Sequence, residues 1–164
     1  MSPWIFVFIV SLANAGCQSR IALGDFSDCL KNDLPCGWEK FKSVKGVQLR
    51  HDSLGYFVTM KSVKDIQGIS KRMQFDVNNF SHLQWRWRVR EFPDSGREDI
   101  KKKNDCAAAI YIAFKGLYPF NHIIKYAWSA TLPEGAMIPS PCGKNTMIFV
   151  VQSGPAHKNE WLVE

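Results

Sequence analysis

The sequence lacks the segments that mark most membrane and multidomain proteins. It contains no run of about 18 consecutive apolar residues, so we expect no transmembrane helix. No internal repeat, low-complexity segment or Gly/Ser- or Pro-rich linker divides its 164 residues. A chain of this length forms one domain comfortably and two only with difficulty. We therefore expect one folded domain.

Signatures of catalysis are missing as well. The chain contains no H-E-x-x-H, G-x-S-x-G or C-x-x-C motif. The segment GKNT fails as a phosphate loop, because Ile138 replaces its first glycine and Asn145 its Ser/Thr. The histidines are scattered without the spacing of metal ligands. The sequence favours a protein that is not an enzyme and has no cofactor, and it leaves calcium open through oxygens near Asp105.

The first residues look like an export signal rather than an anchor. A short apolar run covers 5–10, and Ala13, Asn14 and Ala15 follow with the small-x-small pattern that a signal peptidase accepts. No Lys or Arg precedes the run, which is unusual for such a signal. We expect a signal peptide over 1–15, cleavage after Ala15, and a periplasmic or secreted domain over 16–164. Lipidation of Cys17 is the alternative.

Five cysteines would be allowed to form disulfides in an exported chain. Cys29 and Cys36 flank the loop-like stretch DCLKNDLPC and are the preferred pair, although other pairings stay open. Because the number of cysteines is odd, one thiol must lack a partner within the chain. Cys106 begins an apolar run and is the preferred buried free thiol.

Short apolar stretches separated by turn residues recur along the chain. The strand candidates are 37–42, 47–51, 55–61, 68–77, 82–92, 106–114, 122–130 and 146–154. The apolar run 106–114 predicts a central strand that is covered on both faces. Many short strands with turns between them indicate an all-β fold, an antiparallel β-sandwich of jelly-roll type.

The segment 82–92 alternates most clearly. Trp85 and Trp87 share one parity, and Arg86 and Arg88 share the other, as in a strand with one apolar and one cationic face. We expect the two tryptophans to lie in the core. The arginines either line a groove that grips acidic groups or stand on a plain exterior.

Charge suggests the class of partner. The formal net charge is +6, which favours anionic partners in general. For an exported protein these would be acidic glycans or other envelope components rather than nucleic acid. The ligand-binding candidates are Arg86, Arg88, Asp105, Tyr111 and Trp128. Asp105 precedes a buried strand, so we expect it to pair with one of the arginines.

Four motifs occur in an order that carries a family resemblance. The first is W-R-W-R-V over 85–89, and the second is KKNDCAAAIYIAF over 102–114. The third is Y-x-W-S, with Tyr126 and Trp128, and the fourth is V-V-x-S-G over 150–154.

Over 24–164 the sequence resembles a bacterial exported family known as domain of unknown function family 3047. The family pattern has an acid where this chain has Asn104 and an arginine where it has Ala109. The resemblance implies an exported fold and no established reaction. Members continue into an acidic segment, so the resemblance also implies that this chain lacks C-terminal strands after Glu164.

The predicted function is non-catalytic binding of a glycan or another envelope component. One alternative is a carbohydrate-active hydrolase of the envelope, with Asp105 as one of two carboxyl groups. The other is a structural or assembly protein of the envelope whose basic face meets a protein partner. The sequence leaves the ligand and the oligomeric state open.

Overall fold

The computed structural model of the protein describes residues 10–13, 20–24, 26, 30–31, 34–42, 46–61, 67–114 and 122–164. Within these residues the regular structure is β-sheet, apart from a single 3-10 turn at Lys101–Lys103. The predicted fold class, an all-β protein of the sandwich type, is confirmed. In this part of the chain, no helix has the length and apolar character that crossing a membrane requires.

The described residues contain strands at each predicted segment and at further positions, the first four strands and Met137–Pro139 among them. They are β1 (Val10–Ala13), β2 (Arg20–Ala22), β3 (Leu30–Lys31), β4 (Leu34–Pro35), β5 (Glu39–Lys42), β6 (Val47–Asp52), β7 (Gly55–Met60), β8 (Gln67–Ser70), β9 (His82–Trp87), β10 (Ala108–Phe114), β11 (His122–Ser129), β12 (Met137–Pro139), β13 (Thr146–Ser153) and β14 (Leu162–Val163). The weakest strand candidate, 68–77, is paired only at its beginning, as β8.

The strands form two larger sheets and three two-stranded sheets. The larger sheets have the orders β14-β9-β1-β2 and β10-β11-β13-β12, and the pairs are β3-β4, β5-β8 and β6-β7. One pair departs from the predicted antiparallel arrangement, because β11 and β13 run parallel. The chain reverses between them by forming β12, which lies antiparallel on the other side of β13.

The described residues fall into two compact units, which are presented separately. The first unit is Val89–Asn159, with the sheet β10-β11-β13-β12. The second unit contains the described residues up to Arg88 together with Glu160–Glu164. The predicted span of one domain, 16–164, stays a prediction.

The second unit has an apolar core and a buried tryptophan pair. The core cluster consists of Phe26, Leu34, Val47, Val58 and Met60. Trp85 and Trp87 on β9 are buried, with ring centroids 5.6 Å apart in an edge-to-face arrangement. The prediction that both lie in the core is confirmed.

In the first unit, the predicted central strand is an edge strand. Among the described residues β10 pairs only with β11. Its beginning is buried at Ala108, Ala109 and Ile110, but Tyr111 is 60% exposed. The prediction of cover on both faces is therefore wrong for the second half of the strand. A run of alanines and isoleucines suits a covered strand and a half-exposed one equally, so periodicity cannot separate them.

Part of the N-terminal prediction lies outside the described residues. Val10–Ala13 forms β1 and pairs with β9, whereas Ala15, Cys17 and Cys29 are not described. Export, cleavage and the Cys29–Cys36 disulfide therefore stay predictions. Cys106 is a buried free thiol, as predicted.

Candidate functional site

The cationic face of β9 is covered by the end of the chain. Leu162 on β14 pairs with Trp87 on β9. Because successive side chains point to opposite faces of a sheet, Trp161 lies on the same face as Arg86 and Arg88. The guanidinium carbons of Arg86 and Arg88 lie 5.0 and 4.6 Å from the centroid of the Trp161 ring. Both distances are within the range of cation–π interactions. We call these residues, with Asp52 and Phe57, the arginine–tryptophan cluster.

Asp52 ties this cluster to the hairpin β6-β7. Its Oδ2 accepts a hydrogen bond from Trp161 Nε1 at 3.1 Å, and its Oδ1 accepts one from the Leu54 N–H at 2.9 Å. Desolvation alone would raise the pKa of Asp52, but these hydrogen bonds and the charges of Arg86 and Arg88 hold it below its ordinary value. Arg86 Nη2 donates to the Leu54 carbonyl at 2.8 Å. The cluster therefore holds the hairpin, β9 and the C-terminal segment of the second unit together.

A second group of polar side chains lies on one face of the sheet in the first unit. Tyr111 on β10 is directly opposite Lys125 on β11, so the two side chains project from the same face. The Lys125 ammonium lies 5.8 Å from the centroid of the Tyr111 ring and donates to Asn104 Oδ1 at 3.4 Å. Lys125 is 4% exposed and Tyr111 is 60% exposed. With Glu98 and Asp105, these residues form what we call the polar sheet site.

Glu98 is the fully buried acid of the polar sheet site. Its Oε2 accepts a hydrogen bond from Ser129 Oγ at 2.8 Å, whereas its Oε1 has no hydrogen-bond partner among the described residues. Ser129 Oγ also accepts hydrogen bonds from the N–H groups of Thr131 and Leu132. The end of β11 thus fixes the carboxylate in place while leaving one of its oxygens unused.

Charge interactions connect Glu98 to the other members of the site. Burial alone would lower the pKa of Lys125, but the acidic groups of Cys106, Tyr111 and Glu98 outweigh it, so this pKa lies above its ordinary value. Lys125 is therefore a charged ammonium at neutral pH. The site holds this ammonium in a largely buried position.

Asp105 is an exposed acid of the polar sheet site, and its pKa is raised. Partial desolvation of its carboxyl raises its pKa to about 6; the Cys106 N–H and the Lys125 charge oppose the shift, and the Glu98 charge adds to it. Burial likewise raises the pKa of the neighbouring Cys106 thiol to about 11. Asp105 is thus the group of the site that titrates near neutral pH, and Cys106 is an unreactive thiol there.

We expect Asp105 to reduce stability as pH rises from about 4 to about 6. The folded protein binds the Asp105 proton more tightly than the unfolded chain, whose ordinary pKa is 3.8. Its favourable contribution is therefore complete below the unfolded pKa and is lost as pH rises through the folded pKa. After a discount for solvent screening, we expect the free energy of unfolding to fall by an amount on the order of 1 kcal/mol.

Urea unfolding of the parent and of Asp105→Asn across this pH range measures the effect. The difference between the two unfolding free energies should change through the window and level off above it. Glu134→Gln, at an exposed position in the same unit, should follow the parent at every pH. If the unfolding free energies of the parent and of Asp105→Asn change with pH in the same way, folding does not raise the pKa of Asp105.

The family model described as "Protein of unknown function (DUF3047)" matches residues 37–164. The chain belongs to this family. The match contains both the arginine–tryptophan cluster and the polar sheet site, and it confirms the resemblance drawn from the W-R-W-R-V motif. No curated protein and no solved structure matches the chain.

In this DUF3047 protein the predicted ligand residues have separate surroundings. Arg86 and Arg88 are half-buried against Trp161 in the second unit, whereas Asp105 and Tyr111 belong to the first. The expected pairing of Asp105 with an arginine stays a prediction. In the first unit, Asp105 lies under the influence of the Lys125 charge.

Trp128 packs inside the DUF3047 protein instead of facing a ligand. It is 0% exposed, its Nε1 donates to the Gly154 carbonyl at 3.0 Å, and the Phe92 ring meets it edge-on at 6.0 Å. Its burial argues against the predicted contact with a ligand. Ala127, Trp128 and Ser129 are buried in succession at the end of β11, so both faces are covered there and alternation alone does not reveal the burial of Trp128.

Several residues of these clusters were not predicted from the sequence, among them Asp52 and Phe57 on the hairpin β6-β7. Glu98 lies in a loop rich in both charge signs, Lys125 lies within a strand, and Trp161 lies near the end of the chain. The position of Lys125 could have been noticed in the sequence. It lies on the same strand face as Ala127 and Ser129, and a lone charge on an otherwise uncharged face indicates a polar site. Among the described residues, no three His, Cys, Asp or Glu side chains are grouped to hold a metal ion, and calcium binding stays a prediction.

Proposed function

We propose that this DUF3047 protein binds a glycan without catalysing a reaction on it, and that the polar sheet site is where the glycan binds. The observation that carries the proposal is Tyr111, an aromatic residue that is 60% exposed in the middle of a strand. Asn104 and Asp105 supply hydrogen-bonding groups in the same site. Glycans bind proteins by stacking the C–H face of a sugar on an aromatic ring while polar side chains bind the hydroxyl groups.

The residues beside Tyr111 leave its ring open. Ala109 and Ala113 are its neighbours on the same face of β10, and an alanine side chain is too short to cover an adjacent ring. Lys125 contacts the ring from the opposite strand. This arrangement supports a ligand that approaches the exposed part of the ring.

A hydrolase is supported less well by the same site. Glycoside hydrolysis requires two carboxyl groups that flank the scissile bond, one of them with a raised pKa. Asp105 has such a pKa, but the second acid, Glu98, is fully buried and hydrogen-bonded to Ser129. A carboxylate in that position contacts neither a sugar nor a water molecule at the surface, so binding without turnover is the better fit.

The proposal places the binding outside the cytoplasm. Its support is the apolar run and the Ala13-Asn14-Ala15 pattern at the N-terminus. The glycan would then belong to the cell envelope or to its surroundings. An assembly role would instead be favoured if one stoichiometric protein partner copurified with the full chain.

We expect Tyr111→Ala to weaken glycan binding about tenfold, because an aromatic contact of this kind is worth about 1 kcal/mol or more. Affinity electrophoresis in gels containing dextran, mannan, xylan or polygalacturonate identifies a retained polymer. Calorimetry with that polymer then measures the affinity.

The matched control is Tyr56→Ala, which removes an exposed tyrosine from β7 in the second unit. It should bind as the parent does. The proposal fails if no polymer retards the parent, or if Tyr111→Ala and Tyr56→Ala bind equally well.

A further inference from the structure

The ammonium group of Lys125 is held in place by the side chains around it. Lys125 is 4% exposed, so the protein rather than solvent sets the position of its nitrogen. Its Nζ lies 3.4 Å from Asn104 Oδ1, and Lys125 also hydrogen-bonds to the side chains of Cys106 and Tyr111. These contacts occupy all three N–H donors of the ammonium. The Lys125 nitrogen is therefore kept beside the side-chain amide of Asn104.

A lysine nitrogen fixed beside an asparagine amide has a covalent reaction available to it. When Nζ attacks the side-chain carbonyl carbon of Asn104, an Nζ–Cγ bond forms and the Cγ–Nδ2 bond breaks. An ammonium carries three protons and an amide nitrogen retains one. The two protons that Nζ loses leave with Nδ2, so the products are a neutral amide and an ammonium ion. The reaction is balanced and requires no oxidant.

Position is the main requirement of this reaction. The 3.4 Å contact is with the oxygen bonded to the carbon that would react. Groups fixed in such proximity react as if their concentration were on the order of 10⁵ M or more. Because Lys125 is mostly a charged ammonium, only its small neutral fraction attacks at any moment. A slow rate is nevertheless sufficient, since the reaction occurs once in each molecule.

A carboxyl group suited to carry the protons follows Asn104 in the chain. Partial burial raises the pKa of Asp105 to about 6, and the Lys125 charge acts on this carboxyl. An acid of this pKa accepts and returns a proton readily near neutral pH. The lysines of the Lys101–Lys103 turn also lie near Asn104 in the chain, but they are exposed and no packing fixes them.

We infer that Lys125 and Asn104 form an intramolecular amide bond, an isopeptide cross-link, in the folded protein. The bond joins β11 to the segment before β10 and closes a loop across 21 residues. A cross-link of this span stabilises a domain in the way a disulfide does. The inference is independent of the proposed function, because Asn104 keeps its carbonyl group and Tyr111 is unchanged.

Mass spectrometry of the full chain tests the bond. The refolded protein is incubated at mildly alkaline pH, and most of it should lose the mass of one ammonia molecule within several days. A tryptic digest should then contain a branched peptide that joins Asn104 to Lys125 and is not cleaved after Lys125. Stability measured before the incubation is that of the unlinked chain. The urea midpoint should rise by about 1 M or more as the bond forms.

Two variants remove the reacting groups one at a time. Lys125→Arg keeps the positive charge but has no amine, and Asn104→Ala has no side-chain carbonyl. Neither should form the branched peptide. Lys103→Met removes an exposed lysine next to Asn104 and should react as the parent does. Circular dichroism shows which variants are folded, and the branched peptide of the parent decides even where a variant is not.

A second route to the same mass loss has to be distinguished. Asparagine also loses ammonia when the backbone nitrogen of the next residue, here Asp105, attacks its side chain and closes a succinimide ring. That route does not involve a lysine. Equal loss of ammonia in Lys125→Arg and the parent, without a branched peptide, would therefore overturn the inference. An unchanged mass of the folded parent after the incubation would overturn it as well.

Discussion

Replacing Lys125 with methionine is expected to lower the free energy of unfolding by about 3 kcal/mol, because it leaves the Glu98 carboxylate buried without its neighbouring cation. Because methionine fills a similar volume, the lost free energy of unfolding measures the effect of removing the charge rather than the effect of creating a cavity. Lys125 is 4% exposed and Glu98 is 0% exposed, which keeps water from replacing the lost interaction.

A second substitution in the same chain should recover most of this loss. In Lys125→Met/Glu98→Gln both charges are absent, while the glutamine oxygen still accepts the hydrogen bond from Ser129. We expect a coupling free energy of about 2 kcal/mol between the two positions. Urea unfolding of the parent, both single variants and the double variant measures it.

Lys144→Met is the control for the loss of a lysine at an exposed position, and it should unfold with the parent. If the two single costs simply add in the double variant, Lys125 and Glu98 do not share one site.

Replacing Trp161 with alanine should destabilise the second unit by about 3 kcal/mol, in the range of a large aromatic side chain removed from packed surroundings. The substitution removes the edge-to-face contact with Phe57, whose ring centroid is 5.3 Å away, and the contacts with Arg86 and Arg88. Trp161→Phe keeps an aromatic ring and loses the hydrogen bond to Asp52, so it should cost only about 1 kcal/mol.

Circular dichroism in urea is the suitable measurement, because it does not depend on tryptophan fluorescence. Val163→Ala is the matched control, since Val163 lies only two residues after Trp161 and is 63% exposed. It should change stability by less than about 0.5 kcal/mol. If Trp161→Ala is no more costly than Val163→Ala, the arginine–tryptophan cluster contributes little to the fold.

Alternation made the faces of β9 in the second unit predictable. Trp85 and Trp87 are buried and the intervening Arg86 is only half-buried, as a period of two requires. In β10 the same reasoning failed, because alanines and isoleucines fit a covered face and an open face alike. The exposure of Tyr111 depends on what packs against its face of the sheet, and local sequence does not contain that information.

The polar sheet site was only partly predictable for a related reason. Asp105 and Tyr111 were found because they border or interrupt an apolar run. Glu98 lies in a loop rich in charged residues, which is typical of a solvent-exposed segment, yet Ser129, 31 residues later in the chain, holds its carboxylate in the interior. Lys125 reaches Asn104 across 21 residues. Contacts of this separation follow from strand pairing, so residue types at short spacing do not reveal them.

The order of the two units along the chain ties their stabilities together. The first unit is inserted between β9 and β14 of the second, and its ends are held side by side by a hydrogen bond from the Asn159 N–H to the Val89 carbonyl at 2.9 Å. While the first unit is folded, only a short connection has to be closed for β14 to pair with β9. When it unfolds, the same pairing must close a loop of Val89–Asn159, at an entropic cost on the order of 3 kcal/mol. A ligand that stabilises the inserted unit thereby also strengthens the attachment of Trp161, without any contact between ligand and tryptophan.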